Sequence, residues 1–194
     1  MDSSLWLAVA GGIAIAAACG LRAFLPLLVI GVAAHAGLIT LDDRVLWLTH
    51  RATLWALGVA TVAEILGDKI PVVDHALDVA GTVIRPAAGA LAAYAAIAHW
   101  PEPLPLALAL VAGTGALGVQ VLKAKTRLGS TLLTAGAANP LLSFAEDIGA
   151  FGLAALAMLV PLLALVMLAA GALSVAGLAR ALKRRLSRRR DVTI

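Results

Sequence analysis

The 194-residue chain is 62% hydrophobic and only 13% charged, with a mean hydropathy of +0.99. A soluble domain carries about 25% charged residues and could not bury so much apolar surface, so the composition excludes an ordinary soluble protein. The apolar residues form continuous runs, not the alternating strands of a membrane β-barrel, and the one cysteine, Cys19, excludes a disulfide framework.

Seven apolar segments predict an all-α, polytopic transmembrane helix bundle with six or seven spans. The segments cover approximately residues 4–21, 23–39, 53–66, 79–98, 104–122, 128–145 and 150–177. The second and third are shorter than the roughly 20 residues of a full span, so they are expected to be tilted, continued by their polar ends or re-entrant. Abundant Gly and Ala favour close helix packing inside the bilayer.

The joints between these segments carry polar residues, Gly or Pro. Arg22 follows Gly20 after the first segment, and the stretch Leu41–Arg44 opens the connection after the second. Pro101–Pro105 predicts a rigid turn. The stretch Lys123–Arg127 is predicted to be a short basic loop between the fifth and sixth segments.

The distribution of Lys and Arg predicts the domain organisation and the orientation. Residues 1–179 are expected to form one transmembrane domain and residues 180–194 a basic tail, because seven of the fifteen Lys and Arg lie between Arg180 and Arg190. Basic residues concentrate in cytoplasmic segments, so the tail and the Lys123–Arg127 loop are placed in the cytoplasm and the N-terminus outside.

The same pattern predicts the location and the partners. It indicates a multi-pass protein of the cell (inner) membrane with a cytoplasmic C-terminus, whose partners are the lipid bilayer and, at the basic tail, anionic lipids. A basic tail directly after a long apolar run favours an anchor on anionic lipids over binding to nucleic acid. A homo-oligomer is possible.

The first polar group begins at the end of the third apolar segment. Glu64 and Asp68 are four residues apart, as are Asp74 and Asp78, so each pair would share one helix face. Pro71 would break the helix between the pairs, and broken helices leave backbone groups that suit ion binding. Because charges near the bilayer centre cost a few kcal/mol or more each, these acids pair, face a wet cavity or bind an ion. An ordinary solvated loop is the alternative.

A second polar group follows a predicted helix break at Asn139-Pro140. Ser143, Glu146 and Asp147 then lie within one helical turn of each other. Their oxygen atoms suit Mg, Ca or Mn, or a proton relay. The alternative is a helix N-terminus whose acids are stabilised by the helix dipole.

The two polar groups are predicted to converge in space and to form one ion site. A divalent cation is the expected ligand, with Glu64, Asp68, Glu146 and Asp147 as its ligands or as proton carriers. The bases available to neutralise these acids are Arg22, Lys69, Arg85, Lys123 and Arg127. These bases either form a salt-bridged scaffold or bind a phosphate or carboxylate substrate. The whole candidate site comprises Glu64, Asp68, Lys69, Asp74, Asp78, Arg85, Asn139, Ser143, Glu146 and Asp147.

Four polar motifs stand out along the chain, at Gly20–Pro26, Glu64–Asp78, Arg85-Pro86 and Asn139–Asp147. Together they resemble a bacterial membrane family of unknown function, numbered 4126. The resemblance extends to about residue 165 and implies a membrane location without an activity.

One of these motifs has a second likeness. Glu64-Ile-Leu-Gly67-Asp68-Lys69 is similar to the Glu-x-Gly-Asp-Lys/Arg-Ser/Thr motif of the manganese/calcium–proton exchangers, with one extra residue after Glu64 and Ile70 in place of the hydroxyl residue. The likeness implies that Glu64 and Asp68 bind a cation.

Three classes of function remain open at this stage. The leading prediction is a small transporter or channel-like protein that moves a cation with proton coupling. The second is a membrane-embedded enzyme or carrier acting on a lipid phosphate, since Asp74-xxx-Asp78 resembles half of the metal-binding pattern of CDP-alcohol phosphotransferases, whose preceding half is absent. The third is a non-catalytic scaffold whose charges fix helix packing.

Overall fold

The computed structural model describes residues 3–134 and 137–190, without the side chains of residues 3, 71, 72, 75, 175, 178, 179 and 181–190. This part of the chain is helical and contains no strand, which confirms the predicted all-α class. Its elements are α1 (Ser3–Leu21), α2 (Phe24–His35), a 3-10 helix (Asp43–Thr49), α3 (Arg51–Gly67), α4 (Pro71–Ile97), α5 (Leu104–Thr134), α6 (Asn139–Leu159) and α7 (Pro161–Arg190).

Several of these helices have the length and composition of membrane spans. Four qualify among the described residues, at Ser4–Leu21, Ala76–Ile97, Leu104–Thr134 and Asn139–Leu159. Phe24–His35 and Pro161–Ser174 are shorter apolar helices. The predicted six or seven spans are compatible with this set, and the chain is a helical membrane protein.

Proline and glycine set several of the helix boundaries. Pro71, Pro140 and Pro161 each occupy the first or second position of a helix, where the missing N–H costs nothing because it would have no partner within the helix. Gly37 follows α2 with φ of 73°, a left-handed conformation that glycine adopts without strain. The predicted breaks at Pro71 and Pro140 are therefore present.

The predicted basic loop at Lys123–Arg127 is wrong, because α5 continues through it to Thr134. Lys123 and Arg127 are four residues apart, and both lie on a buried helix face where acidic groups receive them. Lys125 points to the exposed side. The next helix break consequently falls before Asn139 and not at residues 123–127.

Successive helices run in alternating directions, which gives the bundle two distinct ends. The end of α1, the end of α3 and the start of α6 meet where Arg22 contacts Glu64 and Ser143. We call this end of the bundle the network end, after the hydrogen-bonded side chains that meet there. At the opposite end, the 3-10 helix meets α4 and its turn into α5, where Arg44 contacts Tyr94.

The core is formed mainly by alanine and glycine, which let α1, α4 and α5 approach closely. A Cβ atom built on Gly20 would lie 2.6 Å from the Ala116 carbonyl oxygen, and one on Gly89 would lie 2.6 Å from the Ala116 Cβ. Glycine is therefore required at both positions for α5 to pack against α1 and α4. This packing fixes the basic face of α5 opposite the end of α1.

Candidate functional site

Arg22 occupies the break between α1 and α2 and is fully buried. Its guanidinium pairs with the Asp68 carboxylate, and its Nε lies 2.6 Å from Asp147 Oδ1. It also donates to Ser143 Oγ at 3.0 Å and to the Glu64 carbonyl oxygen at 3.4 Å. One arginine thus joins the end of α3 to the start of α6.

Arg127, on α5, joins the same two acidic groups a second time. Its Nη2 lies 2.9 Å from Asp68 Oδ2 and 2.7 Å from Glu146 Oε2, and its Nη1 pairs with Asp74. Lys123 lies one turn earlier, with its Nζ 3.1 Å from Glu146 Oε2 and 3.9 Å from Asp68 Oδ2. The two predicted polar groups therefore do converge, with α5 supplying the bases between them.

Arg85 extends the site toward the middle of α4, where this residue lies. Its Nη2 lies 3.3 Å from Glu64 Oε1, and its Nη1 pairs with Gln120 and lies 3.7 Å from Asp78 Oδ1. Gly81 leaves room for it, since a Cβ there would be 3.2 Å from the guanidinium. Both Glu64 oxygens also accept from the Ala23 backbone N–H, at 3.1 and 3.2 Å, so Glu64 caps the start of α2.

We call this set of side chains the charge network. Among the side chains that the structure describes, it contains six acids and four bases. The acids are Glu64, Asp68, Asp74, Asp78, Glu146 and Asp147, and the bases are Arg22, Arg85, Lys123 and Arg127. With every group ionised, negative charges exceed positive charges by two.

Asp68 is the hub of the charge network, and its side chain is fully buried. Burial opposes its ionisation, but the charges of Lys123, Arg22 and Arg127 together outweigh burial and hold the pKa of Asp68 below its usual range. All three bases approach one oxygen, Oδ2. The buried Oδ1 of Asp68 has no hydrogen-bond partner within the described residues.

Eight of the ten predicted site residues belong to the network or contact it directly, including Ser143 through Arg22 and Asp68. Lys69 does not, since it is exposed and donates to the Ile65 carbonyl oxygen at 3.3 Å. Asn139 lies at the start of α6 and donates to Thr131 Oγ1 at 3.0 Å.

Gln120 is a network residue that the sequence prediction missed. It is 1% exposed, accepts from Arg85 and donates to the Asp78 carbonyl oxygen at 3.2 Å. A single amide in the mainly apolar stretch 104–122 was the available signal, because a buried amide needs hydrogen-bond partners. It lies seven residues before Arg127, on the same face of α5.

The acids of the network face bases and do not surround a shared empty point. Within the part of the chain that the structure describes, no group of three or more His, Cys, Asp or Glu side chains is arranged to hold a metal ion. The predicted ligand set of Glu64, Asp68, Glu146 and Asp147 is instead divided between Arg22, Arg85 and the two bases of α5.

A smaller polar group lies at the opposite end of the bundle. Arg44 lies 2.8 Å from Asp42 Oδ1 and 3.1 Å from Glu102 Oε1, and Tyr94 donates to Glu102 at 2.9 Å. Hydrogen bonds from the Arg44 side chain and backbone hold the pKa of Asp42 below its ordinary value. These groups are partly exposed, and they tie the 3-10 helix to the turn between α4 and α5.

Comparison with known proteins gives one match. The family model described as "Domain of unknown function (DUF4126)" matches residues 9–181. No curated protein and no solved structure matches the chain. The likeness to the manganese/calcium–proton exchangers finds no support in these comparisons.

Proposed function

Because the chain belongs to the DUF4126 family, whose description assigns no activity, we propose its function from the charge network: a small membrane transporter that exchanges a cation for protons. The observation that carries the proposal is the excess of acids over bases in a buried site of a membrane protein. Ionisable residues within membrane-spanning helices are costly, and proteins that keep them commonly use them as ion or proton pathways.

The excess of negative charge requires a counter-ion. Six carboxylates that share four bases in a poorly hydrated site raise each other's affinity for protons, since burial and like charge both disfavour ionisation. A cation that enters the site compensates the negative charge in place of protons, and it favours the ionised form of the carboxylates. Protons and the cation therefore compete for the same carboxylates, which is the thermodynamic basis of exchange.

The depth of the acids supports a path for protons. Asp74, Asp78 and Asp147 have side chains that are about one fifth exposed, whereas Glu64 and Asp68 are almost completely buried. The bases bridge these outer and inner acids. The partly exposed acids of the network end are therefore the carboxylates that protons and a cation can reach from solution.

The proposal is tested in proteoliposomes that contain a pH-sensitive dye and carry an imposed gradient of Mg²⁺, Ca²⁺ or Mn²⁺. We expect the protein to accelerate proton movement over protein-free vesicles, and Glu146→Gln to reduce that rate at least about tenfold, equivalent to roughly 1.4 kcal/mol. The substitution keeps the shape of the side chain and removes an exchangeable proton. Glu102→Gln is the matched control, because Glu102 lies in the Arg44 group at the opposite end.

A lack of protein-dependent proton movement, or equal rates for the two variants, would overturn the proposal. The network would then be a salt-bridged scaffold that fixes helix packing. Turnover of a lipid phosphate by the purified protein would point instead to the enzyme class.

A further inference from the structure

A groove between α2 and α3 lies on the outer surface of the bundle, toward the end opposite the charge network. It has a volume of about 440 Å³. Its lining residues are Leu28, Val32, Arg51, Leu54, Trp55 and Gly58. Among these residues only Arg51 is charged, and a Cβ built on Gly58 would meet nothing within 4 Å. The groove is therefore apolar and open along its length, with one positive charge.

The groove has a charged outer end and an apolar inner part. Arg51, Trp55 and Gly58 follow one another by about one helical turn, so they share one face of α3. Because the seven residues from Arg51 to Gly58 rise about 10 Å along the helix, the groove runs from the start of α3 toward the middle of the bundle. Leu28 and Val32 of α2 form its other wall.

All four tryptophans of the chain lie at this same end of the bundle. Trp6 is in the first turn of α1, Trp47 is in the 3-10 helix, Trp55 is near the start of α3, and Trp100 is in the turn between α4 and α5. Tryptophan concentrates at the interface between membrane and water, so this end lies at the level of the lipid headgroups. Arg51, one turn before Trp55, is therefore at the depth of the lipid phosphates.

Arg51 is exposed and forms no ion pair with any of the described residues. The described acids of this end leave it unpaired. Asp42 and Glu102 pair with Arg44, and the exposed Asp43 is not in contact with Arg51. The positive charge at the outer end of the groove is thus available to an anion from the membrane.

We propose that this groove binds an acidic phospholipid, with the phosphate on Arg51 and one acyl chain along the apolar walls. A guanidinium donates paired hydrogen bonds to a phosphate. His50 provides no side-chain cap for α3, so the positive end of the helix dipole adds to the charge of Arg51. No acid lines the groove to receive an ammonium group, so an acidic lipid is preferred to a zwitterionic one.

This lipid site is independent of the proposed cation exchange. It lies away from the charge network, and lipid binding is measured without any ion flux. A protein that moves no protons would leave the lipid site standing, and loss of the lipid site would leave the exchange standing.

The test uses Trp55 as a local reporter. Trp6→Phe, Trp47→Phe and Trp100→Phe leave it as the sole tryptophan of the chain, and lipids with brominated acyl chains quench its fluorescence on contact. Phosphatidylglycerol and phosphatidylcholine with the same chains are mixed in reconstituted vesicles, with each brominated in turn. We expect a binding constant for phosphatidylglycerol about fivefold that for phosphatidylcholine, the effect of one basic residue near anionic lipid.

Two pairs of variants locate the preference. Arg51→Gln should abolish it, whereas Arg44→Gln should keep it, because Arg44 lies at the same end but outside the groove. Gly58→Leu fills the groove and should weaken the binding of phosphatidylglycerol. Gly115→Leu is its matched control and should change nothing, since Gly115 lies outside the groove and a Cβ at either glycine meets nothing within 4 Å.

Equal binding of the two lipids to the parent protein would overturn the inference. A preference that survives Arg51→Gln, or that Arg44→Gln also removes, would overturn it as well, since the cause would then be diffuse surface charge. Unchanged binding in Gly58→Leu would refute the position of the acyl chain. Arg51 is exposed, so comparing Arg51→Gln with the parent while all four tryptophans are present decides the question even if the triple replacement fails to fold.

Discussion

Arg22 connects more of the charge network than its place between two helices would suggest. It contacts the end of α3 through Asp68 and the start of α6 through Asp147 and Ser143. The guanidinium is planar and has five donors, so it can bridge several acceptors at once, whereas a lysine at the same position would offer a single point charge.

We expect Arg22→Gln to destabilise the fold by about 3–5 kcal/mol, because it removes one of the three bases around the buried Asp68 and the base that pairs with Asp147. The measurement is the unfolding free energy in mixed micelles. Arg44→Gln is the control, and since Arg44 is 40% exposed, its loss should cost far less.

A double-mutant cycle separates the charge effect from packing. Adding Asp147→Asn to Arg22→Gln removes one of the stranded negative charges, so part of the lost stability should return. If Arg22→Gln costs no more than Arg44→Gln, the network does not hold these helices together.

For single helices, the site residues are easier to predict from the sequence than the places where one helix ends and the next begins. The breaks at Pro71 and Pro140 could be read from the chain, because proline begins helices readily and interrupts them elsewhere. The acids of the site could be found because charges stand out in apolar segments. Both signals are local.

The continuity of α5 could not be predicted in the same way. Lys123 and Arg127 add charge to an apolar segment and make it unfavourable as a membrane span. By composition alone, they therefore suggest a loop. They become favourable inside a helix only because acids from α3, α4 and α6 surround them, and those acids lie 19 to 59 residues away in the chain. The spacing of four residues, with Lys125 turned outward, was the one local signal of a helix.

The close packing of α1 against α5 can be tested by adding a single methyl group. Gly20→Ala would place a Cβ 2.6 Å from the Ala116 carbonyl oxygen, so α5 must move away from α1. We expect a loss of about 1–3 kcal/mol in the unfolding free energy measured in micelles.

The matched control for this change lies on α5 itself. A Cβ at Gly118 meets nothing within 4 Å, so Gly118→Ala should be neutral or should stabilise the helix by up to about 1 kcal/mol. Equal effects of the two substitutions would show that contact between α1 and α5 does not limit stability.

For the whole molecule, the alternating helices place the start of α1 and the end of α7 at opposite ends of the bundle. The start of α7 adjoins α1 near Gly11, and Gly171 lies beside Leu21 near the network end. The basic tail therefore leaves the bundle on the side of the charge network, and the distribution of Lys and Arg predicts that this side is cytoplasmic.

The orientation is tested by labelling single cysteines in intact cells, in a Cys19→Ala background. Lys125→Cys should be protected from an impermeant thiol reagent added outside, because Lys125 is exposed near the network end. Leu38→Cys, in the exposed connection after α2, should react. Labelling of position 125 from outside together with protection of position 38 would reverse the assigned orientation.

The length of α5 has a consequence for the surrounding lipid. Its 31 residues extend over about 46 Å, whereas the hydrocarbon of a typical bilayer is about 30 Å thick. Leu128, Leu132 and Leu133, near its end, are more than 60% exposed, so a helix perpendicular to the bilayer would present leucines to water. Tilting and local thickening of the bilayer relieve this mismatch. The protein should therefore favour thicker membranes, and short-chain lipids would strain the helix that carries Lys123 and Arg127.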